Sequence, residues 1–174
     1  MIHFKLISFL AVFLLLLIGC ANPFAPAEIT GESTSNLLTD QEDPDGVLIN
    51  FKYAYTFKDS LVYSDLFDST FVFLSLDFNV APPIPIQWGR DVELRTAGRM
   101  FDFFNTLDLT FNVKKRDTLT LDESNRPVKI QDIITFTLTF DGGASIPTLN
   151  GEVEYTYIFR DPKWLISQWE DLQI

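Results

Sequence analysis

Apolar residues recur at helical spacing in one part of the chain and at strand spacing in another, with the change of period near residue 105. In the first part Leu48, Phe51, Ala54 and Tyr55 share one helical face, Ile49, Tyr53 and Phe57 widen it, and Lys52, Thr56 and Asp59 mark a wet side. Asp43 followed by Pro44 supplies an N-cap and a proline at a position where the missing N–H costs nothing, so a helix is predicted from Pro44. Ser60 is expected to cap a second, short helix through Phe67, and Thr70 to Asp77 is dense in Phe, Val and Leu like a buried strand. Between Asn79 and Gln87 three prolines exclude helix and central strand, because each lacks a donor and restricts the residue before it; an extended loop is expected there. A third helix fits Arg90 to Phe104, with Ala97, Met100, Phe101 and Phe104 on one face, although Gly98 weakens it by up to about 1 kcal/mol.

Beyond it the period becomes two. Leu107, Leu109, Phe111 and Val113 alternate with polar residues, as do Ile134, Phe136, Leu138 and Phe140, and again Val153, Tyr155, Tyr157 and Phe159. Turn signals at Glu123 to Pro127, Asp141-Gly-Gly and Arg160-Asp-Pro separate these strands, and the last leads into a final strand with Trp164, Ile166 and Trp169. The two tryptophans fall on opposite parities, which predicts a bulge or a two-sided contact. Consecutive strands joined by short turns imply an antiparallel sheet, and three helices precede most of it. The fold class expected is therefore α+β.

The N-terminus is of another kind. One basic residue, Lys5, precedes an apolar run from Leu6 to Ile18 that is short for a membrane-spanning helix, which needs roughly 20 apolar residues, and reads as a signal-peptide core. Leu17-Ile18-Gly19-Cys20 resembles the lipobox of bacterial lipoproteins. The resemblance implies cleavage before Cys20 and lipidation of its thiol, where each buried methylene adds roughly 0.8 kcal/mol of membrane affinity. It also implies a lipid-anchored protein of the bacterial envelope; with Ala21 rather than aspartate after the cysteine, an outer membrane facing the periplasm is favoured if the host has one. Residues 20 to 43, rich in Pro, Ser, Thr, Asn and acids, read as a flexible tether, and residues 44 to 174 as one domain.

Removing residues 1 to 19 leaves 12 basic against 24 acidic side chains, a formal charge of −12. That sign repels phosphate backbones and disfavours nucleic acid as a partner. The chain's single histidine, His3, and its single cysteine, Cys20, both belong to the N-terminal region, so the mature domain offers no Ser-His-Asp or Cys-His arrangement, no His or Cys zinc site and no disulfide; no metal or cofactor is expected. Lys114-Lys115-Arg116 reads either as a charged strand edge that resists pairing or as a contact to anionic headgroups. Arg90, Arg95 and Arg99 are expected to pair with Asp91, Glu93 and Asp102 along the third helix.

The order helix, short helix, strand, helix and then long antiparallel strands resembles the nuclear transport factor 2-like superfamily, which includes SnoaL-like polyketide cyclases and ketosteroid isomerases. The similar details are Val47-Leu48-x-x-Phe51-x-x-Ala54-Tyr55, Tyr63 to Phe67 before Phe71-Val72-Phe73, Trp88-x-Arg90, and Trp164-Leu165-Ile166-x-x-Trp169-Glu170-Asp171. The resemblance implies a cone-shaped, cystatin-like domain whose curved sheet and helices enclose an apolar cavity, with Tyr55, Tyr63, Phe73, Trp88, Met100 and Phe104 as wall residues. A superfold of this kind carries enzymes, binding modules and assembly domains alike, and each wall residue has ordinary core packing as its simplest role. The leading expectation is non-catalytic binding of a small apolar ligand or a protein partner. One alternative is a carboxylate-based isomerase or dehydratase, with Tyr55 as donor and Asp77 or Asp108 as base; against it stands the absence of the histidine that related dehydratases use. Another is a homodimeric scaffold built on the outer sheet face at Thr135, Thr137 and Thr139.

Overall fold

In the computed structural model, which describes residues 37–143, Ile146 and residues 148–172, Asp43 caps helix α1 (Pro44–Phe57) by accepting from the Gly46 N–H at 2.7 Å, with proline in the first turn. The apolar leader, Cys20 and the tether as far as residue 36 lie outside the described residues. The last residues assigned to the tether are part of the packed domain: Gln41 is buried, its carbonyl accepts from Trp164 N and its amide donates to the Trp164 carbonyl at 3.0 Å. Among the described residues no helix is long and apolar enough to cross a membrane.

Helix α2 (Ser60–Asp65) is capped by Asp59 rather than Ser60. Lys58 turns left-handed to end α1, which leaves Asp59 extended, and its carboxylate then accepts from both Leu61 N and Val62 N. Strand β1 (Phe67–Asp77) follows, and then β2 (Ile84–Gly89), which runs through part of the proline segment where an extended loop was expected. β2 is the edge of the sheet, and an edge strand needs only one row of its N–H groups, so Pro85 is accommodated. Helix α3 (Arg90–Phe103) ends one residue before the predicted limit.

Strands β3 (Leu107–Leu121), β4 (Pro127–Phe140), β5 (Leu149–Arg160) and β6 (Lys163–Leu172) complete a curved six-stranded sheet in the order β2-β1-β6-β5-β4-β3. Every junction is antiparallel except β1 with β6, which is parallel; turn signals read between neighbouring strands carry no information about that long-range pair. In β6 the pairing steps from Tyr157↔Ile166 to Thr156↔Gln168, so Ser167 is an extra residue. This bulge puts Trp164, Ile166 and Trp169 on one face despite their spacing.

That face and the apolar sides of the helices form the core. Phe51 of α1 is its hub, with ring centroids of Tyr55, Tyr63, Phe67, Phe111, Tyr155 and Trp169 all within 5.2–6.2 Å. Edge-to-face geometry dominates, the arrangement that places positive ring edges on negative faces. Elsewhere Lys58 donates to the Phe104 carbonyl, and Arg90 to the carbonyls of Ser64 and Phe67, fastening the helices to one another and to the start of β1.

Candidate functional site

The core is not filled everywhere. Helix α3 turns Glu93, Ala97 and Met100 to one side, positions four and three apart that share a helical face. Opposite them, Phe73 of β1 and Trp88 of β2 are cross-strand partners whose rings stack at 3.8 Å and 12°. The bulge in β6 aims Trp169 into the same space, where its ring meets Phe73 at 5.6 Å and Tyr155 at 5.2 Å. Leu109, Phe111, Phe136 and Leu138 from β3 and β4 close the remaining wall. Between these elements lies an open cavity of about 270 Å³, near the lower end of what a small-molecule site requires.

Phe136 owes its position to Gly151, its cross-strand neighbour: a β-carbon there would meet the ring at 2.5 Å. Phe136, Leu149 and Asp171 also border a second, outer groove of about 290 Å³, so these residues stand between cavity and surface.

The polar content of the cavity is small and acidic. Glu93, 6% exposed, accepts from the Tyr63 hydroxyl on Oε1 at 2.6 Å and from the Trp88 indole N–H on Oε2 at 2.8 Å. Asp171, at the solvent-exposed mouth, accepts from the Trp169 indole N–H at 2.9 Å, and partial desolvation of its carboxyl pushes it above the usual range, an effect the indole N–H partly offsets. Burial likewise raises the Tyr55, Tyr63 and Tyr155 hydroxyls, which are neutral at physiological pH.

Of the six residues expected at the wall, Tyr55, Phe73, Trp88 and Met100 border the cavity. Tyr63 stands behind it, reaching Glu93 through its hydroxyl, and Phe104 packs on Phe140 with centroids 4.6 Å apart rather than lining the space. The two aspartates considered as bases are elsewhere: Asp77 accepts from Asn79 at the end of β1, and Asp108 is exposed on the outer side of β3. Glu93, expected to form a surface ion pair along α3, faces inward instead; its spacing from Ala97 and Met100 is the signal that would have found it. Among the described residues no three potential ligands cluster around a metal position.

The basic run finds acidic partners within the domain. Lys114 pairs with Glu152, Lys115 with Asp117, and Arg116 makes a two-point contact with Asp132, both distances 2.7 Å, while also reaching Asp45 of α1. Arg116 is held strongly charged by these two acids, and it holds the Asp45 carboxyl below the usual range. Of the three, Arg116 is the one committed to a buried acid; Lys114 and Lys115 are in exposed surface pairs.

No protein-family model matches the sequence, and no curated protein is similar to it. Solved structures are similar in shape. An uncharacterised protein with a cystatin-like fold from Caulobacter vibrioides superposes with a TM-score of 0.56 at 10% identity, covering 75% of this chain and 86% of that one. A "Putative Scytalone Dehydratase" from Novosphingobium aromaticivorans DSM 12444 gives 0.55 at 14% identity, with coverage of 74% and 81%. A nuclear transport factor 2-like protein of unknown function from Shewanella oneidensis MR-1 gives 0.53 at 14% identity, with coverage of 72% and 92%. At these identities the likeness is one of fold: the chain carries a domain of nuclear transport factor 2-like, cystatin-like architecture.

Proposed function

We propose that this chain is a lipid-anchored protein of the bacterial envelope whose domain binds a small, largely apolar ligand between α3 and the concave sheet face. The observation that carries the reading is the cavity of about 270 Å³ with its aromatic and aliphatic wall, which a domain stabilised by packing alone would gain by filling. The lipobox-like Leu17 to Cys20 supports the anchor. For the ligand, thermal melts of the full chain with a panel of hydrophobic metabolites and lipids are the test. A binder present at 100 times its Kd adds about 2.7 kcal/mol and raises Tm; Ala97→Phe, which projects a ring into the cavity, is expected to abolish the shift, and silence across the panel would remove the reading. For the anchor, Cys20→Ser is expected to end labelling by radioactive palmitate and to move the protein out of the membrane fraction.

A second reading has its own observation. Glu93 with Tyr63 is a buried carboxylate beside a tyrosine donor, the pairing that a carboxylate-based isomerase or dehydratase would use. Proton exchange at the α-carbon of cyclic ketones, lost in Glu93→Gln, would support catalysis; its absence with a ligand bound would leave binding as the function.

A further inference from the structure

Among the described residues three carboxylates are buried: Asp68, Asp132 and Glu93. Two of them have an arginine. Arg160 Nε meets Asp68 at 2.9 Å, and Arg116 meets Asp132 through two bonds. Glu93 has only the neutral Tyr63 and Trp88 donors, and no described lysine or arginine comes within ion-pair distance of it. Arg90, one turn earlier on the same helix, is spent on backbone carbonyls. Removing an ion from water costs several kcal/mol, and buried acids are ordinarily paired for that reason.

The cavity beside Glu93 has the complementary features for an external cation. Its wall contains a second acid, Asp171, at the border with the outer groove, and no basic residue. A carboxylate has about four lone-pair directions, and two donors leave about two free. The rings of Phe73, Trp88, Tyr155 and Trp169 border the same space, and ring faces attract cations most strongly where water is scarce. A metal ion would need more ligands than this wall supplies, whereas an organic cation brings an apolar body that fits the remainder. We infer that the cavity selects an organic cation, an amine or ammonium head on a small apolar body, with the charge set against Glu93. This inference rests on the ligand-binding reading of the same cavity.

Three probes with one apolar body separate the two claims: 4-phenylbutylamine, 4-phenylbutanol and 4-phenylbutyrate, titrated into the parent full chain in zwitterionic lipid nanodiscs and read by tryptophan fluorescence, to which the cavity residues Trp88 and Trp169 contribute two of three sources, with empty nanodiscs subtracted. The amine is expected to bind at least about 10-fold tighter than the alcohol, and the carboxylate weakest. Equal affinity for amine and alcohol would overturn the cation class while leaving the apolar cavity standing; binding of none of the three would overturn both. In Glu93→Gln, checked for folding by circular dichroism, the ratio of amine to alcohol affinity is expected to shrink to about threefold or less. An undiminished advantage in that variant would overturn the assignment to Glu93.

Discussion

At Asp132 the domain meets a buried negative charge with a positive one, and at Glu93 it does so with two neutral donors at the wall of a cavity. The first arrangement is finished. Arg116 joins β3, β4 and, through Asp45, the first turn of α1, so three elements that are distant in sequence are fixed by one guanidinium. The second leaves acceptor capacity unused beside a cavity. A carboxylate placed to hold the fold together and one placed to hold something else can be told apart by what completes their coordination, even when both are removed from solvent.

The largest expected effect lies on the finished side. Arg116→Leu strands Asp132, which is 0% exposed, and should cost about 3–5 kcal/mol in urea unfolding. If the loss were below about 1 kcal/mol, the contrast between the two carboxylates would collapse. On the other side Tyr63→Phe removes one charge-assisted hydrogen bond from Glu93 without changing the shape of the ring, and should cost about 1.5–3 kcal/mol. It also frees an acceptor position on Glu93, so an organic cation held there should bind more tightly, a change that a purely structural tyrosine would not produce.

Asp68 provides an arginine-paired case with a pH window. The Arg160 guanidinium, helped by Thr70, brings its carboxyl down to about 2 from the ordinary 3.8. A depressed carboxyl contributes stability that is complete above the ordinary value and fades as pH falls from about 4 to about 2. The amount is at most roughly 2 kcal/mol, and less once solvent screening of the half-exposed Arg160 is counted. Urea midpoints measured across that window should fall more steeply for the parent than for Arg160→Gln. The smallest effect is expected beside Asp132. The Tyr157 hydroxyl is buried close to Asp132 with no partner in good hydrogen-bond geometry among the described residues, so Tyr157→Phe should leave the unfolding free energy within about 0.5 kcal/mol of the parent or raise it slightly.

Much of the fold was legible because its signals are local. The Asp43-Pro44 start of α1, the apolar stripes of α1 and α3 and the period-two strands after residue 105 all follow from spacing and capping. The parallel pairing of β1 with β6 was not, since it joins residues about a hundred positions apart and no turn announces it. Nor was β2, because prolines argue against a strand until the strand is known to be an edge. Of the site, the aromatic wall could be read in outline through Tyr55, Phe73, Trp88 and Met100, whereas Glu93 was misjudged by charge: an acid two to six residues from arginines on a helix suggests a solvated pair, and its helical phase with Ala97 says otherwise.

The extra residue at Ser167 acts as a frameshift written in three dimensions. Read with an uninterrupted pleat, the codons beyond it would send Trp169 and Asp171 outward and bring Gln168 and Glu170 into the cavity. A homologue lacking that one residue, and the bulge with it, would return to plain alternation and keep Trp169 and Asp171 inward, whereas one keeping the residue in a regular ladder would turn Gln168 and Glu170 inward; two chains of equal length can thus differ in what lines the site by how one residue is paired.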